Sequence, residues 1–310
     1  MSPTSTTDTA GPATGYRPRI HRAVVTGVRR LGPGMVRVGF GGDDLADYPT
    51  TGIGDEYVRV FFPDTPDEPV RMPFVNDNGW DFPDGVEPSE MRTYTIRGHR
   101  PGTDPRIEID FVLHDGGIAA AWAEQAQAGQ VVAVNPPRGL YERPAGARRQ
   151  IVVADEPGLP AALRIAELTA GEVPTVLLAE VRGAGFELTA DLPDGTGIEY
   201  VWLRGGNGHG PSGLAGALRR LALDDTTYVW AATEGRINRE IRRLVRHERG
   251  LPAGFYKCVA YWTDRAEEWT ARFDAQGTDF RARVEAVYAG DGDLEDMIDE
   301  VQRMYDAAGL

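Results

Sequence analysis

A single change of pattern near residue 144 constrains the fold of this 310-residue chain more than any other feature. Before that point, short runs of β-branched and aromatic residues are separated by Gly, Pro and Asp clusters, a pattern typical of antiparallel strands. After it, apolar runs of strand length alternate with segments whose apolar residues recur at helical spacing. The sequence therefore predicts two domains of different architecture, joined by a Gly-, Pro- and Arg-rich linker at residues 144–149.

The first domain, residues 16–143, is predicted to be a small antiparallel β-barrel of six strands. The candidate strands cover residues 21–29, 35–40, 57–62, 91–97, 107–113 and 130–135. One helix is predicted at 118–128, and the Asp- and Pro-rich residues 63–90 are predicted to be a long surface loop. Residues 1–15 lack a basic segment followed by an apolar one, so they are predicted to be a disordered leader and not a secretory signal.

The second domain, residues 150–265, is predicted to be a doubly wound parallel sheet. Five apolar strands are expected at residues 151–154, 175–181, 198–203, 228–232 and 255–261. Two segments between them carry apolar residues at helical spacing, one at i, i+3, i+4 and i+7 and the other at i, i+4, i+7 and i+8, which indicates helices. A C-terminal helical extension, residues 266–310, follows with helices predicted at 266–274, 279–289 and 294–305.

Composition excludes several classes of function. A net charge of −14 argues against a nucleic-acid partner. Cys258 is the only cysteine, which excludes internal disulfides and Cys-ligated iron–sulfur clusters. No apolar stretch approaches the length of a membrane span, and the sequence contains no metal-ligand motif such as HExxH or CxxC. These features predict a soluble cytoplasmic protein that needs no metal ligands of its own.

The strand Arg92-Thr93-Tyr94-Thr95 carries side chains that can pair a phosphate, stack on a ring and hydrogen-bond a heterocycle. A second strand follows, ending at His114, and then a Gly-Gly turn leads into an alanine-rich helix. The free N–H groups from Gly117 to Ala120 at such a helix start, Ala119 included, suit a pyrophosphate. Together these segments favour a flavin dinucleotide and an electron-transfer enzyme.

The same residues resemble a known family. Arg92-Thr93-Tyr94-Thr95 is similar to the R-x-Y-[ST] flavin strand of the ferredoxin-reductase superfamily. Further motifs, spread over residues 18–265, resemble the siderophore-interacting proteins, which are flavin-dependent ferric-siderophore reductases: Asp110-Phe111-Val112-Leu113-His114, Pro137-Arg138-Gly139, Asp155-Glu156 and Tyr261-Trp262. The resemblance implies a barrel followed by a parallel sheet, with FAD as cofactor and NADH or NADPH as electron donor.

The resemblance also implies roles for single residues. Arg92 would pair the pyrophosphate, Tyr94 would stack on the flavin or its ribityl chain, and Thr95 would bond near flavin N5. Thr93 shares a side of the strand with Thr95 and is included in the site. A flavin contact is also expected for His114, and Arg138 is a candidate for a further phosphate or substrate charge.

In the second domain, Asp155 and Glu156 are predicted to meet the pyridine nucleotide, because they follow the first strand. Thr233 and Glu234 end the fourth strand and are expected near the nicotinamide, although Glu234 could equally cap the next helix. The choice between NADH and NADPH stays open. Glu180 favours free ribose hydroxyls, whereas Arg182 favours a 2′-phosphate.

Residues 205–211, rich in glycine, are predicted to be a mobile connection and not a phosphate loop, since the Lys-Ser/Thr of a Walker motif is absent. Three basic residues are candidates for an anionic ferric chelate: Arg59, Lys257 and Arg265. Relatives typically carry Arg directly after the Tyr-Trp pair, where this chain has Thr263.

The predicted function is FAD-dependent reduction of ferric siderophores with NAD(P)H. The alternatives are a general NAD(P)H:flavin or quinone reductase and a non-catalytic siderophore-binding protein.

Overall fold

The computed structural model describes residues 17–65, 68–76, 79–114, 116–189, 192 and 197–310. The predicted disordered leader therefore lies outside the described residues. The change of pattern near residue 144 coincides with a change of architecture, because a closed barrel precedes it and a parallel sheet follows it.

The N-terminal domain is the predicted six-stranded antiparallel barrel, with strand order β1-β2-β7-β6-β3-β8. These strands are β1 His21–Gly32, β2 Met35–Gly41, β3 Tyr57–Phe61, β6 Met91–Arg100, β7 Arg106–Val112 and β8 Val131–Val134. Alternating apolar residues such as Val38, Val58, Ile96 and Ile109 are fully buried inside it. Helix α1, Ile118–Gln125, closes one end by burying Trp122 against Phe40.

The prediction of a plain surface loop at residues 63–90 is wrong in part. The described residues of this segment form a short hairpin, β4 Phe74–Asn76 and β5 Gly79–Asp81. Trp80 of the hairpin packs edge-on against Phe61, with ring centroids 4.9 Å apart. Phe61 points out of the barrel and is fully buried, so the segment covers an apolar outer surface that would otherwise face water.

The C-terminal domain confirms the predicted parallel sheet, with order β11-β10-β9-β12-β13 and helices on both faces. Its strands are β9 Arg149–Ala154, β10 Thr175–Val181, β11 Ile198–Arg204, β12 Thr227–Glu234 and β13 Tyr256–Trp262. The helices are α2 Leu159–Leu168, α3 Leu214–Arg220 and α4 Gly235–Arg243, which continues into a π-helical turn, Leu244–Glu248.

The predicted C-terminal extension contains α5 Ala266–Asp274, α6 Thr278–Tyr288 and α7 Leu294–Ala307. The three helices share a small apolar core of their own, formed around Phe280, Val284 and Val301. Among the residues that the structure describes, no helix is both long and apolar enough to cross a membrane.

Buried polar contacts join the barrel to the sheet. Arg164 on α2 donates to the carboxylate of Glu56 at 2.8 Å and to the carbonyl of Ile96 in β6. The indole of Trp230 on β12 donates to Asp55 at 3.1 Å, and Asp55 also accepts from the backbone N–H groups of Leu140 and Tyr141. Strand β6, which carries the predicted flavin residues, is therefore held directly against the second domain.

Candidate functional site

A polar strip runs along the outer face of the barrel next to the domain junction. Antiparallel pairing places Arg59 opposite Thr93 and Tyr57 opposite Thr95. The Arg59 guanidinium donates to the Thr93 hydroxyl at 3.1 Å. Arg138 joins the strip through two backbone hydrogen bonds with Tyr57, of 2.7 and 3.0 Å, and its side chain is exposed. Four of the predicted site residues, Arg59, Thr93, Thr95 and Arg138, are thus brought together by strand pairing.

Thr95 lies where this strip meets the second domain. Its hydroxyl oxygen is buried and makes no hydrogen bond of normal geometry within the described part of the chain. The phenol of Tyr261, from β13, lies beside it, and burial raises the pKa of that phenol well above its ordinary value. The Tyr261 phenol is a neighbour that can donate to the Thr95 hydroxyl, and the hydroxyl then keeps its own proton for a ligand acceptor at this position.

Arg92 and Tyr94 lie on the other side of the same strand. Arg92 is about half exposed and pairs with the Glu90 carboxylate at 2.8 Å, so its guanidinium remains reachable from solvent. The Tyr94 ring packs on Phe111 with centroids 4.4 Å apart, and burial raises the pKa of its phenol. Tyr94 is therefore anchored in the barrel core with one part of its ring still accessible.

The turn before α1 forms a cradle that a side chain would fill. Gly116 has a φ of 77°, in the region that favours glycine. A Cβ atom at Gly117, the N-cap of α1, would stand 2.3 Å from the imidazole Cε1 of His114. His114 thus covers Gly117, and the first N–H groups of α1, including those of Ala119 and Ala120, have no carbonyl partner within their own helix. Free N–H groups at a helix start and an exposed arginine such as Arg92 are the groups that a diphosphate like that of FAD requires.

Asp155 ties together three strand ends of the sheet. Its Oδ2 accepts hydrogen bonds from the backbone N–H of Glu234 and from the indole of Trp262, both at 2.7 Å. Its Oδ1 accepts from the Gly158 N–H at 3.3 Å. Burial raises the pKa of this carboxyl to about 7, and the hydrogen bonds that it accepts oppose the shift.

The carboxylate of Glu156 also accepts hydrogen bonds from other residues of the protein. Its carboxylate accepts from the Arg182 side chain, with Nε 2.9 Å from Oε2, and from the Arg182 backbone N–H at 2.7 Å. Arg182 also donates to the Leu113 carbonyl at 3.2 Å, directly before His114 in the barrel. The side chains of Asp155 and Glu156 therefore organise the edge of the sheet, so a nucleotide at this edge would meet backbone groups first.

Thr233 and Glu234 end β12 beside Asp155. Thr233 is fully buried, and its hydroxyl donates to the Glu234 carbonyl at 3.3 Å. The Glu234 carboxylate accepts from the N–H groups of Arg236 at 2.7 Å and Ile237 at 3.3 Å, which makes it the N-cap of α4. The capping alternative raised for Glu234 is thus what the structure shows.

The three candidate basic residues lie in different surroundings. Arg59 is on the polar strip. Lys257, on β13, is close enough to Asp55 to oppose the rise that burial causes in the pKa of that carboxyl. Arg265 points away with 65% of its side chain exposed and pairs with Glu268 at 3.3 Å. Arg59 and Lys257 therefore lie near the domain junction, whereas Arg265 pairs, within the described residues, with Glu268 of the extension and with its own neighbour Asp264.

Tyr57, Asp55 and Asn207 also contribute to these surroundings and are absent from the sequence-based site. The first two precede or begin a barrel strand, and their partners, at residues 138–141 and in the second domain, lie more than 80 residues away in the chain. Sequence periodicity carries no signal for such long-range contacts. Asn207 lay inside a glycine run that is typical of a mobile connection.

The fold and the cradle together define a class: a flavin-binding barrel joined to a pyridine-nucleotide sheet, as in ferredoxin-reductase-like flavoproteins. A ferredoxin reductase of carbazole 1,9a-dioxygenase shares this fold at a TM-score of 0.59 and 15% identity, covering 80% of this chain and 71% of that one. Residues 24–141 match the siderophore-interacting FAD-binding domain, and residues 147–265 match the siderophore-interacting protein family.

The chain belongs to the siderophore-interacting protein family. It is 31% identical over 252 residues to the NADPH-dependent ferric-chelate reductase of Escherichia coli (strain K12), covering 79% of this chain and 93% of that protein. A siderophore utilization protein from T. fusca has a similar structure, with a TM-score of 0.70 and 30% identity over 80% of this chain and 94% of the other.

Proposed function

We propose that this protein reduces ferric siderophores, with FAD as bound cofactor and NAD(P)H as electron donor. The observation that carries the proposal is the pairing of β3 with β6, which sets the basic Arg59 and the buried Thr95 hydroxyl on one face of the barrel. The glycine turn before α1 adds the backbone N–H groups of a helix start. The relative named NADPH-dependent ferric-chelate reductase supports the same reaction and favours NADPH as the donor.

FAD supplies the step that the chain itself cannot perform, because it takes two electrons as a hydride from NAD(P)H and gives them singly to Fe(III). One NAD(P)H therefore reduces two ferric chelates and releases one proton. Reduction releases the metal, since hard oxygen ligands hold Fe(II) far more weakly than Fe(III). No protein ligand to iron is needed.

The chain's own residues bind and orient the reactants. Arg92 and the first N–H groups of α1 hold the diphosphate, and the Thr95 hydroxyl donates or accepts one hydrogen bond at the edge of the ring system. Arg59 and Lys257 provide local positive charge at the junction. That charge is needed because the chain carries a net charge of −14 and would otherwise repel an anionic chelate.

Anaerobic spectroscopy tests the proposal. The purified protein is expected to be yellow or to become so with added FAD, and NADPH or NADH should bleach its visible absorption. A ferric siderophore should then restore the absorption much faster than free flavin or a quinone does. Protein that binds no FAD would support the carrier alternative, and faster reoxidation by quinone would support the general reductase.

The cytoplasm is the proposed location of the reaction, because reduced pyridine nucleotides are kept there. Cell fractionation with an antibody against the chain checks this point, and recovery with the membrane or secreted fraction would contradict it.

A further inference from the structure

The glycine-rich connection at residues 205–211 folds over the carboxyl edge of the sheet. It follows β11, and Gly205 begins it by donating to the Val181 carbonyl at 2.9 Å. Four consecutive residues, 205–208, have positive φ angles between 54° and 125°. Asn207 is the one non-glycine residue among them, and its φ of 54° is a conformation that asparagine tolerates better than most residues do.

The side chain of Asn207 fastens this loop to two strand ends. Its Oδ1 accepts from the backbone N–H of Glu156 at 2.9 Å, at the end of β9. Its Nδ2 donates to the carbonyl of Glu180 at 3.1 Å, in β10. These two backbone groups lie at the carboxyl ends of adjacent central strands, where open α/β sheets bind their ligands. The Asn207 amide therefore occupies hydrogen-bonding groups that a nucleotide would use.

Glu180 lies directly beneath the loop and is incompletely bonded. Its Oε1 accepts from the Gly213 N–H at 2.6 Å, whereas Oε2 is buried and has no hydrogen-bond partner within the described ranges. The residue is only 2% exposed, and a Cβ atom at Gly206 would stand 2.1 Å from Oε2. A buried carboxylate oxygen without a partner is costly, and a ribose hydroxyl at this strand end would satisfy it.

The loop also contacts the other side of the edge. A Cβ atom at Gly208 would lie 3.7 Å from the Trp262 ring and 3.2 Å from Asp264. Trp262 in turn donates to Asp155. Movement of the loop thus changes the surroundings of a tryptophan at the end of β13, which provides an optical signal.

We propose that residues 205–211 form a lid over the binding site for the adenosine half of the pyridine nucleotide, and that Asn207 is its latch. Opening releases the Glu156 N–H and uncovers the Glu180 carboxylate, which then accepts from a hydroxyl of the adenosine ribose. The inference rests on the proposed function, since it assigns residues to the donor site of the same reaction.

Equilibrium binding of NADP⁺ and of NAD⁺ to the FAD-loaded protein, followed by tryptophan fluorescence, tests the lid. Asn207→Gly removes both latch bonds but keeps a residue that accepts the left-handed backbone. The apparent Kd of whichever nucleotide binds wild-type protein should fall about tenfold, since a latched site is populated in its open form only in part. Glu180→Gln should raise that Kd, and Glu199→Gln, the same change at an exposed residue near the start of β11, should leave it unchanged.

Two results separate the lid from the proposed function. If NADPH or NADH bleaches wild-type protein normally and Asn207→Gly leaves the Kd unchanged or raises it, the lid is refuted while the reductase function stands. If neither nucleotide binds or bleaches FAD-loaded wild-type protein, the proposed function itself fails, and the lid fails with it.

Discussion

Arg92 is held at the outer end of β6 by a single carboxylate, Glu90, in a contact that is about half exposed on both sides. An exposed pair of this kind contributes little to folding, so a ligand phosphate can replace Glu90 at small cost. The same strand ends at Arg100, which forms an ion pair with Asp104. The side chains of this pair are also largely exposed. The two arginines are therefore matched in pairing and exposure and lie at opposite ends of β6.

The first prediction concerns FAD affinity. Arg92→Ala should raise the Kd for FAD roughly ten- to hundredfold, because a charge-assisted hydrogen bond contributes about 1.5–3 kcal/mol. Titration of the apoprotein, followed by quenching of flavin fluorescence, measures this change. Arg100→Ala is the control and should leave the Kd near the wild-type value. Equal effects of the two changes would remove Arg92 from the proposed site.

The second prediction concerns Asp155, whose pKa is raised to about 7 by burial. Between pH 4 and pH 7 the folded protein keeps a proton that the unfolded chain has lost. The protonated carboxyl therefore makes its full contribution to the free energy of unfolding below about pH 4. This contribution is lost as the pH rises to about 7. At 1.36 kcal/mol for each pH unit between 4 and 7, the loss in the free energy of unfolding is on the order of 4 kcal/mol.

Urea unfolding of wild-type protein and of Asp155→Asn at pH 5 and pH 8 tests whether stability falls as the pH rises. The Asn variant cannot ionise, so its stability relative to wild type should improve from pH 5 to pH 8. Asp264→Asn, at the same edge of the sheet but partly exposed, is the control and should show no such change. Parallel pH profiles for wild type and Asp155→Asn would contradict the assignment.

Among the elements, the end of α4 and the π-helical turn that follows it bind the C-terminal extension. Arg242 is almost fully buried and donates to Glu295 at 2.6 Å and to Asp299, both on α7. Arg246, in the π-helical turn, adds a bond of 2.8 Å to Asp299 and one of 3.0 Å to the Tyr256 hydroxyl. The acidic face of α7 is thus attached to the second domain by arginines, and its apolar face packs on α5 and α6.

The third prediction follows from this attachment. Arg242→Ala leaves the carboxylates of α7 without their main partner and should lower the free energy of unfolding by about 3 kcal/mol. Trypsin should then cut within residues 266–310 while FAD binding is retained. Arg219→Ala removes an exposed pair with Glu248, so it is the control and should leave the free energy of unfolding nearly unchanged. Loss of FAD in the Arg242 variant would mean that the extension also supports the flavin site.

At the scale of the whole molecule, the relative position of the two domains determines whether there is a site at all. Arg164 reaches from α2 to Glu56 and to the Ile96 carbonyl, and the Glu56 carboxylate is fully buried. Arg97 makes a second contact across the same junction, to Glu167 at 2.8 Å, but that carboxylate is about half exposed. The buried Arg164–Glu56 contact is therefore expected to stabilise the interface more than the half-exposed Arg97–Glu167 contact.

The fourth prediction compares these contacts. Arg164→Ala leaves a buried carboxylate unpaired and should lower the free energy of unfolding by about 3–5 kcal/mol. Arg97→Ala should cost about 1 kcal/mol or less, because solvent screens its partner. Urea unfolding measures both, and a Glu56→Ala/Arg164→Ala double variant should lose less than the sum of the single changes. Equal costs for the two arginines would show that the junction does not depend on the buried pair.

Local patterns in the chain were enough to predict the two architectures, the order of the elements and the residue types of β6. These properties follow from short-range patterns. The period of a strand, the period of a helix and a glycine turn can each be recognised within about a dozen residues. Tertiary structure alone decided which side chains are free to meet a ligand. Asp155 and Glu156 bond to strand ends and to Arg182, Glu234 caps a helix, and Asn207 fastens a loop. Such contacts join residues distant in the chain, and hydrogen bonding of buried polar groups becomes defined only when the strands are packed.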